Sequence, residues 1–392
     1  MSVSELSRHS IVYFGNDWRA ENRTSSHHIA ARLAKRTRVL YVSTPGARPP
    51  QASGRDVARL FKKLGEAFRL PQQVDEQLWV MTMPQAPFRS LPLVEQINHA
   101  AGRMMLGRAI RHLGFDHLIS WFLVPHPGSF ARQLGEELSV YYCVDDYAAF
   151  PGADRAAIQH YDRTLTAGSD CVFFTSQRLC EQRRAERPDG IYSPHGVDFD
   201  LFHQALDPAL NVAEPLRDLR KPVIGWFGLI AAWVDIALIT AMARARPEWS
   251  FVLVGLPSVD VSELRALPNV LFPGPRPYQT LPQWAKGFDV CIAPYLLNQQ
   301  LMNANPLKIR EYLATGRPVV SMWAPEIEPY AHVARVVRDR DQFLGAIEAA
   351  LAEGPQAHLD DRLNAVRDST WDARVETIAG HVERALAARK GR

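Results

Sequence analysis

The sequence predicts an α/β protein with two doubly wound parallel-sheet domains facing a cleft. Three observations carry this. At 392 residues the chain is too long for one ordinary core. Short apolar runs alternate with helix-period segments throughout, the order of βα units in a parallel sheet. That alternation runs through twice, on either side of a weakly periodic linker, Asp200 to Arg220, that contains Pro208 and Pro215. The expected division is residues 1–205, residues 206–370, and a closing helix over 371–392 that packs back across the domains.

In the first half, Ile11–Gly15 reads as a strand, Thr24–Arg36 as a helix and Arg38–Ser43 as a second strand. The turn after the first strand is Gly15-Asn-Asp-Trp and lacks G-x-G-x-x-G, which disfavours a dinucleotide oxidoreductase. From Arg48 to Arg69, Val57, Leu60, Phe61, Leu64 and Phe68 recur at helical spacing, with Arg59, Lys62, Lys63 and Arg69 on the other side. Such a basic amphipathic helix is either a packed surface helix or an element lying on an anionic membrane. Strands follow at Leu78–Met83, His117–Trp121, Val140–Val144 and Cys171–Ser176, with helices at Leu93–Leu113, Asp154–Gly168 and Gln177–Arg187. Asp145-Asp146 ends the Val140 strand, where open α/β sheets place ligands.

The second half opens with the strand Pro222–Gly228. It continues with strands at Ser250–Gly255, Asn269–Pro273, Phe288–Pro294 and Val333–Val337. Helices are expected at Val234–Arg244, Leu281–Lys286, Gln342–Ala352 and Asp372–Ala388.

Between them lies the most informative stretch, Asn303 to Val320. Asn305 suits an N-cap and Pro306 the first helical position, while Gly316 and Pro318 stop the helix. Lys308 and Glu311, three apart, share one face near the helix start. Free N–H groups at a helix start favour a phosphate, and one ammonium contact at ~4 Å adds about 4 kcal/mol before desolvation. A carboxylate one turn deeper can accept both hydroxyls of a ribose diol. The pair therefore reads as a cradle for a nucleoside diphosphate; on an ordinary surface helix the same two residues are solvated charges.

Composition bounds the rest. Hydrophobic residues make up 47% and charged residues 22%, as in a soluble globular protein. A net charge of +3 gives no case for nucleic acid. The four cysteines are scattered without CxxC spacing, so reduced thiols and no metal site are expected. No apolar run is long enough to span a bilayer, and the first ten residues lack the apolar core of a secretory leader. A cytoplasmic protein, peripheral on the inner face of the membrane, is the expected location.

Several segments together resemble GT-B glycosyltransferases of the family 4 (group 1) type, with Rossmann-like domains. They are Ser193-Pro-His-Gly-Val-Asp-Phe-Asp-Leu-Phe202, Gly225-Trp-Phe-Gly228, Leu253-Val-Gly255, Phe288-Asp-Val-Cys-Ile-Ala-Pro294 and the 303–320 unit. The resemblance implies that the second domain binds a nucleotide-diphosphate sugar, a UDP-sugar first among them, with no other cofactor and no metal. It implies ribose on Glu311, diphosphate over the helix start and Gly228, and the base near Pro275 to Tyr278. Two departures stand out. Asn303 occupies the place of the family's first Glu, and Gly228 is followed by Leu-Ile-Ala-Ala-Trp-Val-Asp235 without the usual Arg and Lys. Lys308, with Arg310 or Arg276, would then neutralise the diphosphate. The Trp-Val-Asp segment and Pro306-Leu-Lys are similar to those of bacterial exopolysaccharide and teichuronic acid transferases, which act on glycan or lipid-linked acceptors.

The implied chemistry is glycosyl transfer, and its donor-side residues are Gly228, Arg276, Tyr278, Asn303, Asn305, Lys308 and Glu311. If the reaction inverts, a base comes from Asp146, Asp145, Asp17, His27, His28 or His126, with the paired acids first because each shifts the other's pKa. If it retains, these residues position the acceptor. Two alternatives stay open: a nucleotide-sugar epimerase on the same fold, and a non-catalytic transferase-like binding subunit.

Overall fold

The computed structural model describes residues 4–20, 23–44, 70–83, 92–150 and 152–390. The basic segment over 48–69 lies outside the described residues. Two compact units result, Met1–Pro194 with Arg374–Arg392, and His195–Ala373. The boundary expected at 205/206 therefore falls at 194/195. Most of the closing helix joins the first unit.

The first unit is built on an eight-stranded sheet in the order β3-β4-β2-β1-β5-β6-β7-β8. Its strands are β1 (Ser10–Gly15), β2 (Arg38–Ser43), β3 (Gln72–Asp75), β4 (Leu78–Thr82), β5 (Leu118–Phe122), β6 (Leu138–Cys143), β7 (Cys171–Phe174) and β8 (Ile191–Tyr192). All pairs are parallel except β3 with β4. β1, β5, β6 and β7 are buried throughout, which explains their continuous apolar runs. The antiparallel edge strand β3 is wholly exposed and was not expected, since Gln72-Gln-Val-Asp75 carries no apolar run. Helices α1 (Ser25–Leu33), α2 (Pro92–Leu113), α3 (Arg155–Gly168) and α4 (Gln177–Gln182) form the crossovers. β1 lies between β2 and β5, so the chain reverses its direction of travel across the sheet there. Ligands of open α/β sheets bind outside the strand ends at such a point.

The second unit has a six-stranded, all-parallel sheet, β11-β10-β9-β12-β13-β14. These strands are β9 (Val223–Phe227), β10 (Ser250–Val254), β11 (Val270–Gly274), β12 (Val290–Ala293), β13 (Val319–Met322) and β14 (Arg335–Val337). A short helix, α5 (Phe199–His203), overlaps the start of the expected linker. Then come α6 (Ile236–Ala245), α7 (Ser262–Arg265), α8 (Leu281–Gly287), α9 (Gln299–Asn303), α10 (Leu307–Ala314), α11 (Phe343–Glu353), α12 (Leu359–Arg367) and α13 (Trp371–Lys390). The reversal here lies at β9, between β10 and β12. It brings the turn after β9 and the α10 unit to the same edge. Among the described residues no helix is long and apolar enough to cross a membrane.

Candidate functional site

α10 begins one residue later than its sequence suggests. Pro306, with ψ 117°, is the N-cap, and Leu307 is the first helical residue. Asn305 is not the cap. Its buried side chain donates from Nδ2 to Glu326 Oε2 at 2.6 Å and accepts at Oδ1 from Arg310. Glu326 lies in the loop after β13, so a partner distant in sequence outweighs the local capping preference. At the other end Gly316 takes φ +73° and stops the helix as its position implies.

On the first turns of α10, Lys308 Nζ lies 2.7 Å from Glu311 Oε2. The second carboxylate oxygen, Oε1, accepts from the Tyr278 hydroxyl at 3.4 Å. Glu311 is 3% exposed and the Lys308 side chain 20%, so these are not solvated surface charges. The ammonium also lies 5.3 Å from the centre of the Phe227 ring. Tyr312 ties α10 to the same strand end. Phe227 N–H donates to its oxygen at 3.1 Å, and its O–H donates back to the Phe227 carbonyl at 3.4 Å.

Gly228 follows at φ +138°, and a Cβ there would sit 2.6 Å from Lys308 Cε. A Cβ on Gly255, at the end of β10, would meet the Gly228 carbonyl at 1.8 Å. Both positions need glycine, for conformation and for room. Gly228, Tyr278, Lys308 and Glu311 thus stand together at one edge of the second sheet.

Other predicted donor-side residues are placed differently. Asn303 is buried as the last residue of α9. Arg276 is exposed, donates to the Pro273 carbonyl at 2.9 Å and lies over the Trp284 ring. Arg310 is buried, held by Asn305 and laid over Tyr330. Its guanidinium is engaged inside the fold, which leaves Lys308 as the less buried cation of the first turns. Asp235 of the Trp-Val-Asp segment caps α6 by accepting from Leu238 N–H at 2.8 Å, and pairs with Arg340 at 3.0 Å.

In the first unit, Asp17, His126 and the Asp145–Asp146 pair follow β1, β5 and β6, which are adjacent strands. Asp145 Oδ1 accepts the Asp146 backbone N–H at 3.1 Å. Burial pushes the Asp145 carboxyl up to about 7, and the Asp146 charge adds a smaller rise. Burial rather than the pairing of two acids is thus the main cause. His27 is a correction. Its Nδ1 accepts the Thr24 N–H at 3.1 Å in a capping box at the start of α1, and its Nε2–H donates to the Asp17 carbonyl at 3.1 Å. Burial and Arg23 bring it down to about 4. Both ring nitrogens serve the fold, so it is no base. Asp17 accepts the Arg19 N–H at 3.1 Å, and His28 is buried within α1.

Sequence reasoning missed Glu326 and a nest of hydroxyls below the first strand end. There Ser26 Oγ lies 2.6 Å from the Tyr41 hydroxyl, which donates to the Asn16 carbonyl at 2.7 Å. The signal for Glu326 was its place in a Pro-containing loop directly after a buried strand. Among the described residues no group of three or more His, Cys, Asp or Glu could hold a metal ion.

Residues 221–353, most of the second unit, match the family model for Glycosyl transferases group 1. A putative teichuronic acid biosynthesis glycosyltransferase of Bacillus subtilis is 24% identical over 373 residues, covering 81% of this chain and 92% of that protein. Among solved structures, sucrose-phosphate synthase from Thermosynechococcus elongatus superposes with TM-score 0.70 at 15% identity, covering 97% of this chain and all of that one. Anabaena Alr3699/HepE, solved in complex with UDP, gives TM-score 0.60 at 15% identity, covering 97% of this chain and 100% of that one. Fold and matches together define the class: the chain has the GT-B fold, and its residues 221–353 match the group 1 glycosyltransferases.

Proposed function

We propose that this glycosyltransferase moves a sugar from a UDP-sugar to a hydroxyl of a glycan or lipid-linked acceptor in bacterial surface polysaccharide synthesis. The observation that carries the donor half is the Lys308–Glu311 pair lying across the Gly228 turn. With a donor bound, Lys308 leaves Glu311 for the diphosphate, and Glu311 takes the ribose hydroxyls in its place. Tyr278, already bonded to the carboxylate, holds it in position. The acceptor half is supported by the teichuronic acid relative, and the choice of UDP by the UDP complex of the Anabaena neighbour.

In the transfer, the bond from the anomeric carbon to the diphosphate oxygen breaks, and a bond from that carbon to the acceptor oxygen forms. The leaving oxygen gains negative charge, which Lys308 and the N–H groups at the start of α10 stabilise; a positioned donor of this kind is worth ~10²–10³ in rate. The acceptor proton goes to Asp145 if the configuration inverts, and to the departing diphosphate if it is retained. No step is assigned to a metal. The protein works as a peripheral protein on the inner face of the membrane, where lipid-linked acceptors are found.

Lys308→Ala and Glu311→Ala each raise the donor KM about 10- to 100-fold, the loss of one charge-assisted hydrogen bond of ~1.5–3 kcal/mol, and leave the fold intact. A thermal-shift screen over UDP, GDP, dTDP and their sugars, followed by steady-state transfer, reads this. Unchanged donor kinetics in both variants would refute the site. Product analysis without acceptor separates transfer from epimerisation.

A further inference from the structure

Helix α2 carries a surface that the described residues of its own unit leave exposed. Its inner side buries Gly102, Leu106 and Ala109 against the first sheet. On its outer side Ile97 is 57% and Met104 64% exposed, the two most exposed large apolar side chains among the described residues. Arg103, Arg108 and Arg111 are exposed beside them, and no carboxylate occurs between Gln96 and Phe115. At about 100° per residue, Ile97, Met104, Arg108 and Arg111 fall in a stripe roughly 60° wide, with Arg103 about 80° beyond its edge. Arg38 adds charge at the end of the helix, where it donates to the Leu113 and Gly114 carbonyls.

From this we infer that the outer face of α2 docks the chain on an anionic lipid surface. Exposed apolar side chains continued by arginines along one face are what an interfacial helix presents. The apolar side chains enter the acyl boundary, and the arginines keep their guanidinium groups at the phosphates. From Ile97 to Arg111 the row runs ~21 Å along the helix (14 steps of ~1.5 Å), long enough to lie along a lipid surface. Its positive charge, with no carboxylate from Gln96 to Phe115, selects lipids of opposite sign. This rests on the peripheral location proposed above and names the surface responsible.

The test is co-sedimentation of the full chain with vesicles of phosphatidylcholine, with and without phosphatidylglycerol. UDP-induced thermal shift is read on the same samples. The parent pellets with the phosphatidylglycerol vesicles only. Arg103→Ser/Arg108→Ser/Arg111→Ser weakens that binding about a hundredfold, from about fivefold per basic residue, and keeps the UDP shift. Ile97→Ser/Met104→Ser loses the part of the binding that survives high salt. Equal pelleting of the triple variant and the parent overturns the proposal. So does loss confined to Arg59→Glu/Lys62→Glu/Lys63→Glu. A parent that ignores both kinds of vesicle also overturns it and leaves the row to an acidic protein. Vesicle binding without any UDP shift would instead refute the donor reading and leave this surface standing.

Discussion

Lys308 and Glu311 neutralise each other in a nearly buried setting, and this matters more than either residue alone. A buried carboxylate without a partner costs several kcal/mol, so removing Lys308 weakens donor binding and also burdens Glu311. The comparable residue in the first unit is Asp145. Its carboxyl, pushed up to about 7, holds its proton across a range where an unfolded chain has already lost it. Between about pH 4 and 7 the folded state therefore binds more protons, and stability falls as pH rises through that window. Asp145→Asn removes this fall, which urea unfolding at pH 5 and pH 8 measures. If Asp145 is the base, kcat/KM in the parent rises as pH increases through about 7, and the inflection disappears in Asp145→Asn. An unaltered pH profile in the variant would exclude it as the base.

At the scale of elements, α10 is held at both ends by different means. Gly316 and Pro318 stop it locally, and this was legible because glycine and proline act through their own backbones. Its start depends on Asn305, Arg310 and Glu326, a positive and a negative charge joined through one amide, all buried. That arrangement was not legible, because Glu326 comes from the loop after the next strand. Glu326→Ala leaves the buried Asn305 amide without this acceptor and costs the second unit about 1–3 kcal/mol, while Glu326→Gln, which still accepts from Asn305, costs less. Denaturant unfolding of the two variants measures the difference, and equal stabilities would contradict the account. His27 teaches the same lesson from the other side. As a residue type it looked like a base, yet its ring closes a capping box. Strand β3 escaped the sequence because polar, exposed residues on an edge carry no period.

For the whole molecule, the doubled βα order gave the two parallel sheets, and the reversal of each sheet at β1 and β9 fixed where functional loops collect. The first unit is completed by the far end of the chain. Val375, Ile378, Val382 and Leu386 of α13 are buried, and Arg389 and Lys390 pair with Asp170 and Glu5. A sequence reader sees this closing helix but not its partners, since nothing local names them. The proposed donor site needs no such distant closure, because β9, β10, β12 and α10 all belong to one unit.

The most direct test is a crystal structure of the chain with UDP bound. The account predicts ribose hydroxyls on the Glu311 carboxylate, Lys308 turned from Glu311 to the diphosphate, and that diphosphate against the Gly228 turn. UDP bound elsewhere, or bound with the Lys308–Glu311 contact still closed, would contradict it.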